Sequence, residues 1–188
     1  MTEILLSKTR ADAVEPVARR LFERFRHPRD LAAASPRTLE KLLYPLGLQR
    51  KRAQHLVKCA KALITQYNGE VPKSAADLLT LPYIGRYAAS AIASVAFHQP
   101  LAVVDANVSR VYQRVFSIPR PPKRLSTADD LWAFAERVLP RTRFREFNWA
   151  ILDLGGTVCT PRAPSCTRCP LASHCNSRIG SLENGAPR

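Results

Sequence analysis

Apolar residues recur along this chain at three- and four-residue intervals, and strict alternation is scarce. That spacing predicts an all-α protein. Met1 to about Ser7 opens on an apolar, helix-like run. From about Ala11 to Phe25, Val14, Val17, Ala18, Leu21, Phe22 and Phe25 share one helical face. Ser35 before Pro36 reads as an N-cap with proline at the first helical position, opening a helix through Leu39, Leu42 and Leu43. Leu46-Gly47-Leu48 ends it. A helix is predicted from about Arg52 to Tyr67, closed by the turn pair Asn68-Gly69. Ser74, with Asp77 three residues on, caps a short helix. Leu81-Pro82-Tyr83-Ile84-Gly85 is a tight connection into an alanine-rich helix from Tyr87 to about Phe97. Another helix runs from Ala106 to about Phe116.

Proline density rises across 118–122 and marks a boundary there. Thr127 with Asp130 starts a helix through Leu131, Trp132, Phe134, Ala135, Val138 and Leu139. A further helix spans about Phe144 to Leu154 and ends at Gly155-Gly156. Residues 180–188 read as a frayed tail.

Composition adds a partner. The 188 residues are 46% hydrophobic, enough for a core. Lys plus Arg number 29 against 15 Asp plus Glu, a formal charge of +14. That surplus favours a polyanionic partner, because each phosphate contact releases counterions. The alternative is a basic protein without such a partner. No run of eighteen apolar residues predicts a membrane helix, and the N-terminus has no secretion-signal pattern.

Four of five cysteines stand close together as Cys159, Cys166, Cys169 and Cys175, separated by six, two and five residues. Zinc sites favour paired C-x-x-C knuckles, and this loop has a single C-x-x-C. An uneven compact loop, stiffened by Pro161, Pro164 and Pro170, suits four thiolates around a cubane. Two disulfides are the competing reading. Cys59 lies on an apolar helix and reads as core.

Two further segments carry chemistry. The Leu81–Arg86 connection can offer backbone N–H groups at a helix start to a phosphate, without reading sequence. Val103-Val104-Asp105-Ala106-Asn107-Val108 sets one carboxylate before a helix. Asp105 is a favourable N-cap. It is equally placed to stabilise positive charge on a sugar whose glycosidic bond is breaking, or to activate water.

The cysteine spacing, the Leu81–Arg86 hairpin and the Val103–Val108 segment together resemble the endonuclease III family of DNA glycosylases, in the helix-hairpin-helix superfamily. The resemblance runs from Thr2 to Cys175. It implies a six-helix barrel domain over 1–118 and a smaller helical iron–sulfur cluster domain over 119–188. Cys159, Cys166, Cys169 and Cys175 would hold a [4Fe-4S] cluster that is structural and DNA-sensing, with Arg162 and Arg168 near phosphate. Asp105 is implied as the catalytic acid and Asn107 as an orienting residue. Tyr87 stands where bifunctional members carry the Schiff-base lysine. A phenol cannot form that adduct, so the resemblance implies a monofunctional enzyme with Tyr87 lining the base pocket, against the alternative of a packed tyrosine. Glu3, in Thr2-Glu3-Ile4-Leu5-Leu6, matches a pocket glutamate that hydrogen-bonds or protonates the departing base; read without the family, it is a glutamate near a helix start.

The resemblance also implies two loops that fill the hole left by a flipped base. Lys8 and Leu48 are the wedge candidates. Arg50, Lys51, Arg52, Ile84, Gly85 and Arg86 are the candidate DNA contacts. The family hairpin, L-P-G-[VI]-G-[RK], also holds a monovalent cation on its carbonyls. Here Tyr83 replaces the first glycine, a strained position if φ is positive.

Within the superfamily, the pyrimidine-damage endonucleases fit poorly because Tyr87 replaces their lysine. Adenine glycosylases acting opposite 8-oxoguanine usually carry Gln-Gln at Ser7-Lys8 and a further C-terminal domain beyond the cluster. The archaeal-type thymine/uracil mismatch glycosylases fit best, on T-E-I-L-L, the tyrosine after the hairpin, V-D-A-N and Phe144-Arg145-Glu146-Phe147-Asn148. That group has about one more helix before Thr2, which implies lower stability here than in an extended relative. The expected protein is a monomer of the prokaryotic cytoplasm acting on duplex DNA with a mismatched or damaged base. A non-catalytic DNA-binding module with a redox cluster is the rival from another class.

Overall fold

The computed structural model describes residues 1–7, 9–121 and 124–183. Among these no residue is in a strand, as the helical spacing requires, and no helix is long and apolar enough to cross a membrane. The helices are α1 (Thr2–Leu6), α2 (Ala11–Arg24), α3 (Pro28–Ala32), α4 (Pro36–Leu43), α5 (Gln49–Tyr67), α6 (Ala75–Thr80), α7 (Arg86–Phe97), α8 (Ala106–Phe116), α9 (Asp129–Val138), α10 (Phe144–Asp153) and α11 (Asn176–Glu183). The chain forms two compact units, Met1–Ile92 and Ala93–Arg188, and the division falls within α7.

In the first unit α5 is the central helix, packed by α3 and α4. Its buried stripe is Ala53, Leu56, Cys59, Ala60 and Leu63, so Cys59 is core as expected. Ser35 caps α4 by accepting from the Thr38 N–H at 3.2 Å, and Ser74 caps α6 by accepting from Asp77 N–H at 3.0 Å. Asn68 and Gly69 close α5 with φ of 51° and 85°, the left-handed turn their identities favour.

Several local details differ from the sequence reading. Phe22 is exposed, and α2 buries only Val14, Val17, Ala18 and Leu21. α3 was not legible because five residues give too little periodicity; a His27–Asp30 capping box and Pro28 define it instead. Thr127 does not cap α9. It ends a 3₁₀ turn and its hydroxyl donates to the Arg124 carbonyl, while Ala128 stands at the cap. α11 continues past Gly180 to Glu183, where a tail was expected; 184–188 lie outside the described residues.

The second unit has its own core, in which Val104, Val108, Val111, Leu131, Trp132 and Ala135 are all buried. Tyr112 meets Phe134 edge-on at 5.3 Å between ring centroids. The buried Trp132 donates its indole N–H to the Leu125 carbonyl at 2.8 Å. After α10 the chain winds one π turn, Leu154–Val158, straight through Gly155-Gly156, where the sequence suggested a stop.

Candidate active site

In the second unit the chain enters α8 along Leu101–Val104, and Ala102, Val103 and Val104 are buried. A buried extended segment must find partners for its backbone groups. Asn148 of α10 supplies most of them. It accepts from Val103 N–H at 3.2 Å and donates to the Leu101 carbonyl at 2.9 Å and to Ser94 Oγ at 3.3 Å. Glu136 of α9 accepts from Ala102 N–H at 3.0 Å. Asp105 follows directly on this fixed segment.

Asp105 is the N-cap of α8: Oδ1 accepts from Val108 N–H at 2.8 Å. The N-cap expected from the sequence is therefore present. The other oxygen, Oδ2, accepts from the Asn107 amide at 2.9 Å. The carboxylate is half-buried and held at both oxygens, which fixes its orientation.

A polar chain continues from Asn107. Its Oδ1 accepts from Arg110 Nη2 at 2.9 Å. Arg110 also donates to the Gly155 carbonyl at 2.6 Å and to the Cys159 carbonyl at 2.7 Å. One turn on, Arg114 reaches Cys159 Sγ at 3.3 Å, the Thr160 carbonyl at 2.7 Å and the Pro161 carbonyl at 2.9 Å. Cys175 Sγ donates to the Arg114 carbonyl at 3.4 Å, and Arg178 holds the Cys166 carbonyl at 2.7 Å. One face of α8 thus carries Asp105's partner and two of the three arginines that anchor the cysteine loop. Asn107, Arg110 and Arg114 stand at i, i+3 and i+7, a polar stripe beside the buried face of Val108, Val111, Tyr112 and Val115. That stripe was the available signal for Arg110 and Arg114; Asn148 stood in the Phe144-Arg145-Glu146-Phe147-Asn148 segment of the family resemblance without a role, and nothing local marked Glu136.

Cys159, Cys166, Cys169 and Cys175 are free thiols, all half-buried. The disulfide reading is not what the structure contains. Among the described residues no three His, Cys, Asp or Glu side chains are gathered to hold one metal ion. The donor set therefore has to be judged as a set: four free thiols in one loop, with the Arg114 guanidinium 3.3 Å from Cys159 Sγ.

In the first unit, Glu3 lies in the first turn of α1, half-buried, and its Oε2 is buried without a hydrogen-bond partner. Burial pushes its carboxyl above the usual value, against the pull of the Met1 ammonium. Leu48 is 58% exposed in the left-handed region, with φ 50°. Arg50 and Lys51 are exposed beside it, Arg50 reaching Glu40 at 3.8 Å. A shallow groove next to this turn is lined by Arg37, Glu40, Lys41, Tyr44, Gln49 and Arg50. Lys8 lies outside the described residues.

Arg52 corrects its expectation as a phosphate contact. It is 4% exposed and its guanidinium points inward, because α5 begins at Gln49 and so turns position 52 onto the face of Ala53 and Leu56. In the hairpin, Tyr83 does take positive φ, at 67°. Its ring stacks on His55 at 3.5 Å between centroids and 14° between planes. Gly85 is exposed with open space around it, and Arg86 begins α7. Ile84 turns its side chain inward, and its N–H closes a turn on the Leu81 carbonyl at 3.3 Å. Tyr87, in the first turn of α7, is 37% exposed.

Residues 1–137 match the family described as HhH-GPD superfamily base excision DNA repair protein. The chain belongs to this superfamily. A thymine-DNA glycosylase of Aeropyrum pernix is 36% identical over 91% of this chain and 78% of its own length. A thymine/uracil-DNA glycosylase of Pyrobaculum aerophilum is also 36% identical, over 91% of this chain and 75% of its own. The solved structure of a thermostable thymine-DNA glycosylase superposes with a TM-score of 0.89, at 31% identity, covering 95% of this chain and 82% of that one. A non-covalent endonuclease III–DNA complex superposes at 0.84, with 28% identity, covering 97% and 83%. The all-α helix-hairpin-helix glycosylase fold expected from the sequence is therefore the fold observed.

Proposed function

We propose that this protein is a monofunctional DNA N-glycosylase that removes thymine or uracil mispaired with guanine and leaves an abasic site. The observation that carries the reading is Asp105, held at one oxygen by Val108 N–H and at the other by Asn107. As the base departs, positive charge builds on the sugar. A fixed carboxylate stabilises that charge and directs a water to C1′. Glu3 serves as the acid at the leaving base, since burial raises its carboxyl and keeps its proton to higher pH. Tyr87 offers no amine, so the strand is not nicked.

Duplex DNA as partner is supported by the +14 charge and by the likeness to an endonuclease III solved as a complex with DNA. Leu48 acts as wedge, and Arg50, Lys51, Arg86 and the Ile84–Gly85 backbone face the phosphates. Because Tyr83 keeps a glycine-like path, a monovalent cation on the hairpin carbonyls stays part of the reading. Cys159, Cys166, Cys169 and Cys175 hold a [4Fe-4S] cluster, which when bound supplies a rigid cross-link for the loop. Four free half-buried thiols on a loop pinned by Arg110, Arg114 and Arg178 support that assignment. By chemistry, 1–118 handles the base and 119–188 carries the cluster.

The test is base release from T·G, U·G, A opposite 8-oxoguanine and undamaged duplexes, each with and without alkali. Release from T·G or U·G, with breaks only after alkali, is the expected result. Release of adenine would replace the substrate assignment. Breaks without alkali would refute the monofunctional assignment, and no release from any duplex would favour a non-catalytic module.

A further inference from the structure

Arg52 is a buried cation that no carboxylate pairs among the described residues. Its guanidinium is satisfied by neutral oxygens alone. Nη1 donates to the Leu5 carbonyl and, at 3.3 Å, to the Ile4 carbonyl. Nη2 donates to the Ser7 carbonyl at 3.1 Å and to Thr9 Oγ1. Nε donates to the Gly47 carbonyl at 3.1 Å, and the backbone N–H of the same residue takes the Leu48 carbonyl at 2.9 Å. Burying a guanidinium without a counter-charge is costly, and a well-packed apolar residue is often the more stable choice. Such a group suits a task that stability alone does not explain.

The five acceptors of the side chain come from three places. Ile4 and Leu5 lie in the helix that carries Glu3. Ser7 and Thr9 belong to the following loop, and Gly47 opens the turn that exposes Leu48. A left-handed, exposed leucine persists only where its surroundings fix it, and residue 52 grips this turn by both side chain and backbone. A planar fork makes this set of bonds; an ammonium would make only part of it.

We propose that Arg52 is a positioning residue for base extrusion, locking the Glu3 helix, Ser7 and Thr9 to the turn at Gly47 and Leu48 so that Leu48 is held ready as a wedge. This inference rests on the glycosylase reading. A wedge that is already ordered enters the stack without first losing its own freedom, and a small misplacement of such a group slows the reaction by about a hundredfold.

The test compares a paired T·G duplex with a duplex carrying the same thymine unpaired as a bulge. Arg52→Lys, Arg52→Met and Leu48→Ala are measured in the full chain, with thermal melts to show that each folds. Thr9→Val, which removes one acceptor and leaves Arg52 in place, serves if the Arg52 variants do not fold. Single-turnover release from T·G is expected to fall about a hundredfold for both Arg52 variants, with a clearly smaller loss on the bulge, which needs the Glu3 helix but not the wedge. Lysine should fail as methionine does. In parallel, 2-aminopurine beside the thymine reports unstacking on binding, whether or not any base is released. Wild type should give the signal, and the variants should lose it. Equal losses on both substrates, full rescue by lysine, or unstacking that survives in the variants would overturn the proposal. So would a wild-type protein that binds without unstacking. Wild-type unstacking without base release would instead count against the glycosylase reading alone.

Discussion

Gly155 lies so close to Asn107 that a Cβ on it would stand 2.8 Å from Asn107 Cβ and 2.9 Å from the Asn107 carbonyl oxygen. Both opposing atoms belong to the start of α8, and neither is the end of a flexible chain. Gly155→Ala should therefore push α8 and the π turn apart. The expected cost is about 1–3 kcal/mol, as for overpacking elsewhere, measured by urea melts. Because Asn107 also orients Asp105, the rate of base release should fall beyond what the remaining folded fraction explains.

Arg110 donates at once to Asn107, Gly155 and Cys159. Arg110→Ala leaves those part-buried acceptors without their donor, at about 1–3 kcal/mol. The variant should lose bound iron faster on exposure to chelator and release base more slowly. Iron retention at the wild-type rate, with wild-type base release, would show that the chain of bonds has no bearing on either site.

Tyr83 and His55 set strain against stacking. A left-handed tyrosine costs about 1–2 kcal/mol, and a stacked ring pair returns about 0.5–1.5 kcal/mol. Tyr83→Gly removes both and adds backbone freedom worth about 0.5–1 kcal/mol, so its melting midpoint should stay close to wild type. His55→Ala keeps the strain and loses the stack, and should be the less stable variant. Burial, with Lys51, Lys58 and Arg52 nearby, lowers the His55 pKa. The neutral ring is therefore the species that stacks at neutral pH.

Glu3 makes stability depend on pH in a definite direction. Burial raises its carboxyl above the ordinary 4.5. The folded state then holds the proton more tightly than the unfolded one, so this group's contribution is full below the unfolded value. It is lost as pH rises through the folded value. Glu3→Gln should be more stable than wild type at neutral pH and lose that advantage under acid. Base release by wild type should decline as pH rises through the Glu3 value, and the glutamine variant should lack that limb.

How much was legible depended on how local each determinant was. The helices with a full apolar stripe, such as α4 and α8, and their caps at Ser35, Ser74 and Asp105, follow from a few neighbouring residues. The cysteine loop was visible because four thiols crowd into it. Arg52 was misread because three basic residues in a row look alike until the helix start at Gln49 fixes which one faces inward. Asn148 and Glu136 act on a segment more than thirty residues away, so no local pattern gives their role, although Asn148 stands in a segment that carried the family resemblance. The Tyr83 conformation was foreseen only as a conflict; its stacking partner, His55, lies on a separate helix.

The central claim is that Asp105 does more than cap α8. Asp105→Asn keeps an oxygen for Val108 N–H, and asparagine caps helices about as well as aspartate. Single-turnover base release from T·G should fall by at least about a hundredfold, with the melting midpoint and duplex affinity retained. Release at the wild-type rate from a folded, DNA-bound Asp105→Asn protein would contradict the account and leave Asp105 as a cap.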